Sequence, residues 1–359
     1  MRKQHVLIIF GGNSNEYSVS LQSAAAVIDH MNRCLYEPIL VGISEQGVWY
    51  RYFGNTDAIR QNTWQADPRN VPAALTCLPT GKYLAELHNA SYDLTRIDVA
   101  FPILHGKNGE DGTIQGVLVN AQIPYVGCDL QASAICMDKH VAHQLVALAG
   151  IQVPAALLIE RHQQPTLEHT VFTDPQFDDL PFPVYVKPVK SGSSIGITKV
   201  FRKQDLIPAI EQAWLHDDQV IIEQSIEGFE VGCALLGNAS PVIGAVDEIE
   251  LTGDFFDFHE KYSLETSKIH MPARIDDPLA DAIKNTALKI YTVLGCQGMA
   301  RVDLFVTPER EIVFNEVNTI PGFTANSRYP KMLSALGLSY ADIIDRLLQL
   351  ALEKQIANL

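Results

Sequence analysis

Short apolar runs alternate with helical patterning in the first third of the chain, and that alternation narrows the fold more than any other feature. The runs are VLIIF at 6–10, PILVGIS at 38–44, VAFPILHG at 99–106 and IPYVGC at 123–128, with a polar-apolar helical stretch from Ser20 to Asn32. Strands alternating with helices argue a parallel sheet with covering helices. Residues 54–92, rich in Pro, Asn, Asp and Gln, carry weak periodicity and read as an insertion with no assigned elements.

Downstream, Asp138 and Gly150 bracket a helix as N-cap and stop. PVYVKPVKSGSSIGITKV at 183–200 reads as strand, Gly/Ser-rich loop and strand, and QVIIEQSI at 219–226 as a buried strand. Leu279, Ile283, Ala287, Ile290 and Leu294 keep helical spacing up to Gly295. Two more strands, MARVDLFV at 299–306 and EIVFNEVN at 311–318, are joined by Thr307-Pro308-Glu309-Arg310. At 359 residues the chain suits two or three domains.

With 47% hydrophobic residues the chain can bury a core, which excludes disorder. Its net charge of −15 argues against nucleic acid or an anionic membrane as a main partner. The six cysteines are scattered without a C-x-x-C pair and read as reduced thiols. The apolar run after Met1 is too short for a signal-peptide core, and no apolar run is long enough to span a membrane. A cytoplasmic protein is therefore expected.

Alternate residues of a strand share a face, so Arg301 goes with Asp303 and Glu316 with Asn318. If Thr307 pairs with Ile312 across the turn, Asp303 falls opposite Glu316 and Arg301 opposite Asn318. Two like charges directly opposed destabilise a strand pair unless a cation lies between them, and three hard oxygen donors suit Mg²⁺. The plainer alternative is that both acids point to water.

The loop from Lys190 to Gly196 follows a strand bearing Lys187, and its small residues let backbone N–H groups approach phosphate oxygens. It lacks the Gly-Lys-Ser/Thr ending of a Walker A loop, and Gly11-Gly12-Asn13-Ser14 is not a dinucleotide fingerprint. Plain turns are the alternative in both places. Lys139, Lys187 and Lys261, each beside such an element in an acidic chain, favour a polyphosphate ligand. His140 and His143 lack the intervening carboxylate of a zinc peptidase.

Taken in order, GGNSNEYSVSLQSA (11–24), LHGKNGEDGTIQG (104–116), CMDKHVAHQLVALAGI (136–151), VKPVKSGSSIGITKV (186–200), IEQSIEGFEVG (222–232), EKY (260–262), ARVDLFVT (300–307) and FNEVNTIPGFTANSRYP (314–330) resemble the D-alanine:D-amino-acid ligases of the ATP-grasp fold. The resemblance implies three domains, a doubly wound α/β one at 1–138, a small central α+β one at 139–223 and a larger one at 224–359, with ATP between antiparallel sheets of the last two. It implies that Lys139, Lys187 and the backbone of Ser193 and Ser194 hold phosphates. Glu223, Gln224 and Ile226 would line the adenine site, Glu230 would take the ribose, and Lys261 would approach the γ-phosphate. Asp303, Glu316 and Asn318 resemble the family's Mg²⁺ ligands, for two ions, with Mn²⁺ as a substitute. Glu16 would bind the first ammonium, linked through Ser193 to Tyr262, with His105 near the first carboxylate. Arg301 and the Gly322 amide would stabilise the oxyanion, and Ser327 would hold the second carboxylate. A loop at 253–270 would act as lid, and a homodimer is implied.

The implied reaction phosphorylates the carboxylate of D-alanine and passes the acyl group to the amine of a second D-amino acid, for cell-wall precursor synthesis. Asp247, Phe256 and Arg328 together resemble the D-alanine:D-serine branch associated with vancomycin resistance. There a carboxylate can accept a bond from a serine hydroxyl. Other readings stay open: another ATP-grasp carboxylate-amine ligase, a non-catalytic nucleotide-binding regulator, or a dehydrogenase fitting the N-terminal half alone.

Overall fold

The computed structural model describes residues 2–251 and 267–357. Phe256, Lys261 and Tyr262 lie outside the described residues, as does most of the expected lid.

The first strand, β1 (Gln4–Gly11), pairs in parallel with β2 (Tyr36–Ile43) on one side and β7 (Val99–Pro102) on the other. Leu7 and Ile9 share a core with Ile114 and Leu118 of the helix Thr113–Asn120. Val6, Ile8 and Phe10 share another with Leu21, Ala24 and Ile28 of the helix Tyr17–His30. Strand side chains alternate between faces, so both faces are covered, as the alternating sequence requires.

Two expectations change here. IPYVGC forms no strand; Tyr125 makes a single bridge to Ala100. Residues 54–92 are not an insertion without elements. After β3 (Trp49–Tyr52), the strands β4 (Val71–Leu78), β5 (Gly81–Leu87) and β6 (Tyr92–Arg96) extend the sheet as an antiparallel meander, in the order β6-β5-β4-β3-β2-β1-β7. β6 alternates Tyr92 and Leu94 with Asp93 and Thr95, but four of its five residues are exposed, so this short alternation marks no buried face.

A second sheet joins β8 (Ala156–Glu160), β9 (Val184–Pro188), β10 (Thr198–Val200) and β11 (Gln219–Gln224) in the order β10-β9-β11-β8. Its core is self-contained: Val184, Val186, Val220 and Ile222 pack with Leu206, Ile210 and Trp214. The helix Lys139–Leu148, capped by the Asp138 side chain on the Val141 amide, buries Ala142 and Val146 in the next core along instead.

The third sheet has β12 (Phe229–Gly237), β13 (Val242–Leu251), β14 (Ser267–His270), β15 (Gly298–Val306) and β16 (Ile312–Asn318), in the order β14-β13-β12-β15-β16. The helix Asp277–Val293 packs Ile283, Ala287 and Ile290 on Val231, Cys233 and Val302. Met332 and Leu347, from the last two helices, share one core with Ala234, Leu236 and the N-terminal Val6 and Ile8. The end of the expected lid, 267–270, is a strand paired with β13.

The register of the last hairpin departs from its premise while keeping its consequence. Ile312 pairs with Val306, not Thr307, and a regular ladder from there would set Asp303 opposite Asn315. A bulge between Asp303 and Leu304 takes up one residue and restores Asp303 opposite Glu316 and Arg301 opposite Asn318.

Candidate functional site

A cleft of about 1120 Å³ opens between the second and third sheets. Lys139, Lys187, Ser194, Glu223, Gln224, Ile226, Glu230 and Glu316 line it, so residues chosen from separate sequence blocks converge on one cavity. Lys187 is tightly ion-paired with Glu223 across the adjacent strands β9 and β11. Burial alone would lower the Lys187 pKa, but the Glu223 carboxylate outweighs it and the ammonium form is held. Lys139, at the start of its helix, donates to the Ser191 carbonyl at 2.7 Å and lies 3.6 Å from Glu316. Ser193 and Ser194 both have positive φ (53° and 58°). Such strain costs about 1–3 kcal/mol per residue and gathers at ligand clamps.

The opposed acids of the hairpin are not left bare. Arg301 donates to Asp303 through Nε (2.8 Å) and Nη2 (2.6 Å), and the Asn318 amide donates to it at 2.9 Å. Protein cations therefore offset the repulsion that the sequence argument assigned to an ion. A divalent cation still fits: two carboxylates and an amide oxygen are hard donors on facing residues of two strands.

Behind Asp303 lies Arg328, at 3.6 Å. It donates to both oxygens of Asp247 (2.7 and 2.8 Å) and to Glu230 (3.2 Å). The Gly232 amide also donates to Asp247, at 2.9 Å. Asp247 is 0% exposed, so it does not face an open subsite and can affect a substrate only through Arg328. Gly232 is required for the pairing, since a β-carbon there would lie 2.4 Å from Arg328 Nη2 and 2.7 Å from Asp247 Oδ1.

Glu16, His105 and Glu110 bring their side-chain ligand atoms within 4.8 Å of one another in a buried cluster. His105 does not present a free N–H to a substrate. Its Nδ1 donates to the Ile320 carbonyl at 2.7 Å, and its Nε2 accepts from Ser23 Oγ at 3.0 Å. Burial lowers its pKa to about 4, against the pull of the Ile320 carbonyl, so the ring is neutral. Glu110, not singled out from the sequence, accepts from the Gly106 amide (2.9 Å) and the Ile320 amide (2.7 Å). His105 and Glu110 thus grip both sides of one peptide residue in the loop after β16. Burial, then the Glu16 charge, pushes Glu110 up to about 8. The clue available was a pair of acids, Glu110 and Asp111, enclosed in the glycine-rich run LHGKNGEDG.

Farther along that loop, Gly322 and Ser327 are neighbours: a β-carbon on Gly322 would lie 3.4 Å from Ser327 Oγ. Ser327 Oγ accepts from the Thr324 amide at 3.0 Å. Among the described residues, no helix is long and apolar enough to cross a membrane.

Comparison with known proteins agrees with this layout. The D-ala D-ala ligase N-terminus family matches residues 5–128 and the D-ala D-ala ligase C-terminus family residues 145–349. The chain is 43% identical over 348 residues to the vancomycin C-type resistance protein VanC1 of Enterococcus gallinarum, covering 97% of this chain and 98% of that one. It is 40% identical over 370 residues to D-alanine–D-alanine ligase A of Escherichia coli, covering 100% of this chain and 98% of that one. The crystal structure of the VanG D-Ala:D-Ser ligase from Enterococcus faecalis superposes with a TM-score of 0.89 at 48% identity, covering 98% of this chain and all of that one.

Two outcomes follow from the geometry. Gly232→Ala forces Arg328 from Asp247, and chemical denaturation is expected to show a loss of about 3 kcal/mol, the scale of a broken buried pair. Glu110, with a folded pKa of about 8 above its ordinary value, stabilises the fold most at low pH and loses that contribution as pH rises through 8. Thermal melts at pH 5 and pH 8.5 should therefore show the wild type losing ground to Glu110→Gln at the higher pH. A difference independent of pH would show that Glu110 holds no such proton.

Proposed function

From the premise that the chain belongs to the D-alanine–D-alanine ligase family, we propose that it joins D-alanine to a second D-amino acid at the expense of ATP. The observation that carries the reading is the convergence of Lys139, Lys187, Glu223, Glu230 and Glu316 on one cleft between two antiparallel sheets.

In this reading the polyphosphate lies along Lys139, Lys187 and the strained Ser193–Ser194 backbone, with the adenine near Glu223, Gln224 and Ile226 and the ribose at Glu230. A divalent ion held by Asp303, Glu316 and Asn318 neutralises phosphate charge when bound; two Mg²⁺ ions, replaceable by Mn²⁺, suit the donor set. Lys261, from the segment outside the described residues, completes the phosphate grip, and Tyr262 with Ser193 and Glu16 closes the loop.

The D-alanine carboxylate oxygen attacks the γ-phosphorus, the bond to the β-phosphate oxygen breaks, and ADP leaves. Positioning by fixed cations supplies most of the rate. The second amine then attacks the acyl carbon, loses a proton, and expels phosphate. Arg301, already fixed by its fork on Asp303, and the Gly322 amide bind the developing oxyanion, a task for donors that need not reorganise. Glu16 takes the first ammonium, and Ser327 the second carboxylate.

D-Serine is the slightly favoured second substrate over D-alanine. Support comes from the resemblance to a D-Ala:D-Ser ligase and from the Asp247–Arg328 pair, which fixes a guanidinium behind Asp303. Three units (1–138, 139–223, 224–359), a homodimer and a cytoplasmic setting complete the reading.

Phosphate release is expected to require both D-alanine and Mg²⁺. Mass spectrometry of products from equimolar D-alanine and D-serine should show D-alanyl-D-serine in excess. Nucleotide binding without turnover on any D-amino acid would sink the ligase reading, and an excess of D-alanyl-D-alanine only the serine preference. Arg301→Lys keeps the charge but loses the fork, and should lower kcat about 100-fold with little change in KM for ATP.

A further inference from the structure

His143 belongs to none of the roles above, yet it lies directly behind the Lys187–Glu223 pair. It is 5% exposed, on the helix that begins at Lys139. Its Nε2 is 2.8 Å from the carbonyl oxygen of Asn315, the bulged residue just before Glu316, and a carbonyl can only accept. Nε2 must therefore carry the proton, which leaves Nδ1 of the neutral ring as a bare lone pair. Nδ1 faces Glu223 Oε1 at 3.7 Å. Neither atom has a hydrogen-bond partner, and Glu223 is 2% exposed. Two acceptors facing each other at that distance stand off rather than bond. Buried acceptors without donors are costly, so the pair is built for a proton it does not hold while Lys187 neutralises Glu223.

The groups facing this gap are few. Glu223 comes from β11, Lys187 from β9 and Lys139 from the ring's own helix, while Phe314 of β16 meets the ring edge-on at 5.3 Å between centroids. Burial first, and the two lysines further, hold the imidazole below its ordinary range, against the pull of Glu223 and the Asn315 carbonyl. A polyphosphate arriving in the cleft changes that balance. It draws the Lys187 ammonium toward its own oxygens and adds negative charge, so Glu223 loses part of its compensation.

We infer that His143 is a positioning residue that takes up a proton when nucleotide binds, its new Nδ1–H closing on Glu223 Oε1 and holding that carboxylate in place while Lys187 serves the phosphates. The inference rests on the nucleotide reading of the cleft. Because binding raises the affinity of the ring for a proton, uptake is expected at pH 6 and should vanish by pH 9, where neither form of the protein protonates it.

The test is direct. Binding of an ATP analogue with a non-hydrolysable β–γ link, in the presence of Mg²⁺, is followed at pH 6 by calorimetry in buffers of different ionisation heat. The imidazole nitrogens are followed in parallel by ¹⁵N NMR of the full-length wild type, with the His143 signals assigned by their loss in His143→Gln. The expected result is uptake of up to about one proton per nucleotide beyond that seen with His143→Gln, and conversion of His143 Nδ1 from bare to protonated in the complex. Glu223→Gln, which removes the charge that calls for the proton, should also abolish the extra uptake. Bound nucleotide with Nδ1 still bare, or uptake unchanged in His143→Gln, overturns the inference and leaves the ligase reading standing. A chain that binds no nucleotide overturns both.

Discussion

Arg328, backed by Arg301, sets the arrangement of the whole catalytic half, because it is a charge with little exposure that is matched from several strands at once. Arg328 reaches Asp247 on β13, Glu230 on β12 and Asp303 on β15, and Arg301 forks onto Asp303 from two residues away. Ions out of water are costly unless geometry is good, and removing one partner is worse than never having built the pair. Three strands are consequently tied to one register, and Gly232 must stay without a side chain so that the guanidinium can approach. The same matching keeps Asp303 and Glu316 tolerable as neighbours, with Lys139 on the far side of Glu316.

A second constraint joins that half to the N-terminal sheet. His105 and Glu110, from the loops after β7, hold the carbonyl and the amide of Ile320, and Ser23 on the first helix both serves the His105 ring and accepts from the Phe323 amide at 3.2 Å. The loop carrying Gly322 and Ser327 is thereby fixed against the acids Glu16 and Glu110. Burial and the neighbouring Glu16 charge hold Glu110 above the ordinary carboxylate range, and burial keeps the His105 ring neutral. Their polar atoms serve the backbone first, and a substrate meets a surface already ordered.

The hairpin of β15 and β16 shows how a sequence argument can reach a true pairing through an incomplete premise. Strand parity fixed which residues share a face, and the assumed turn gave the correct partners for Asp303 and Arg301. The turn closes one residue earlier, and only the bulge repairs the register. Nothing local to Asn315 announces that bulge. Its carbonyl, turned to His143, is explained only by a helix from a different part of the chain. The missed strands β4 to β6 failed for a different reason: β4 buries only Ala73, β5 buries the consecutive Leu84, Ala85 and Glu86, and β6 is an exposed edge, so no alternating set of buried positions marks a core face.

The sequence by itself determined the parallel strands of the N-terminal sheet, the helix cap at Asp138 and the Gly/Ser loop, whereas Glu223, Gln224, Ile226 and Glu230 of the cleft came from the family resemblance of its motifs. The first three are written in local chemistry: periodicity, a capping oxygen, small residues where a backbone must approach a ligand. Tertiary structure alone decided that Asp247 is enclosed by Arg328, that His105 is spent on Ile320, that Glu110 matters and that His143 faces Glu223. Those outcomes depend on which long-range neighbour supplies or withholds a hydrogen bond in a buried site, and no spacing along one chain encodes the contents of another strand.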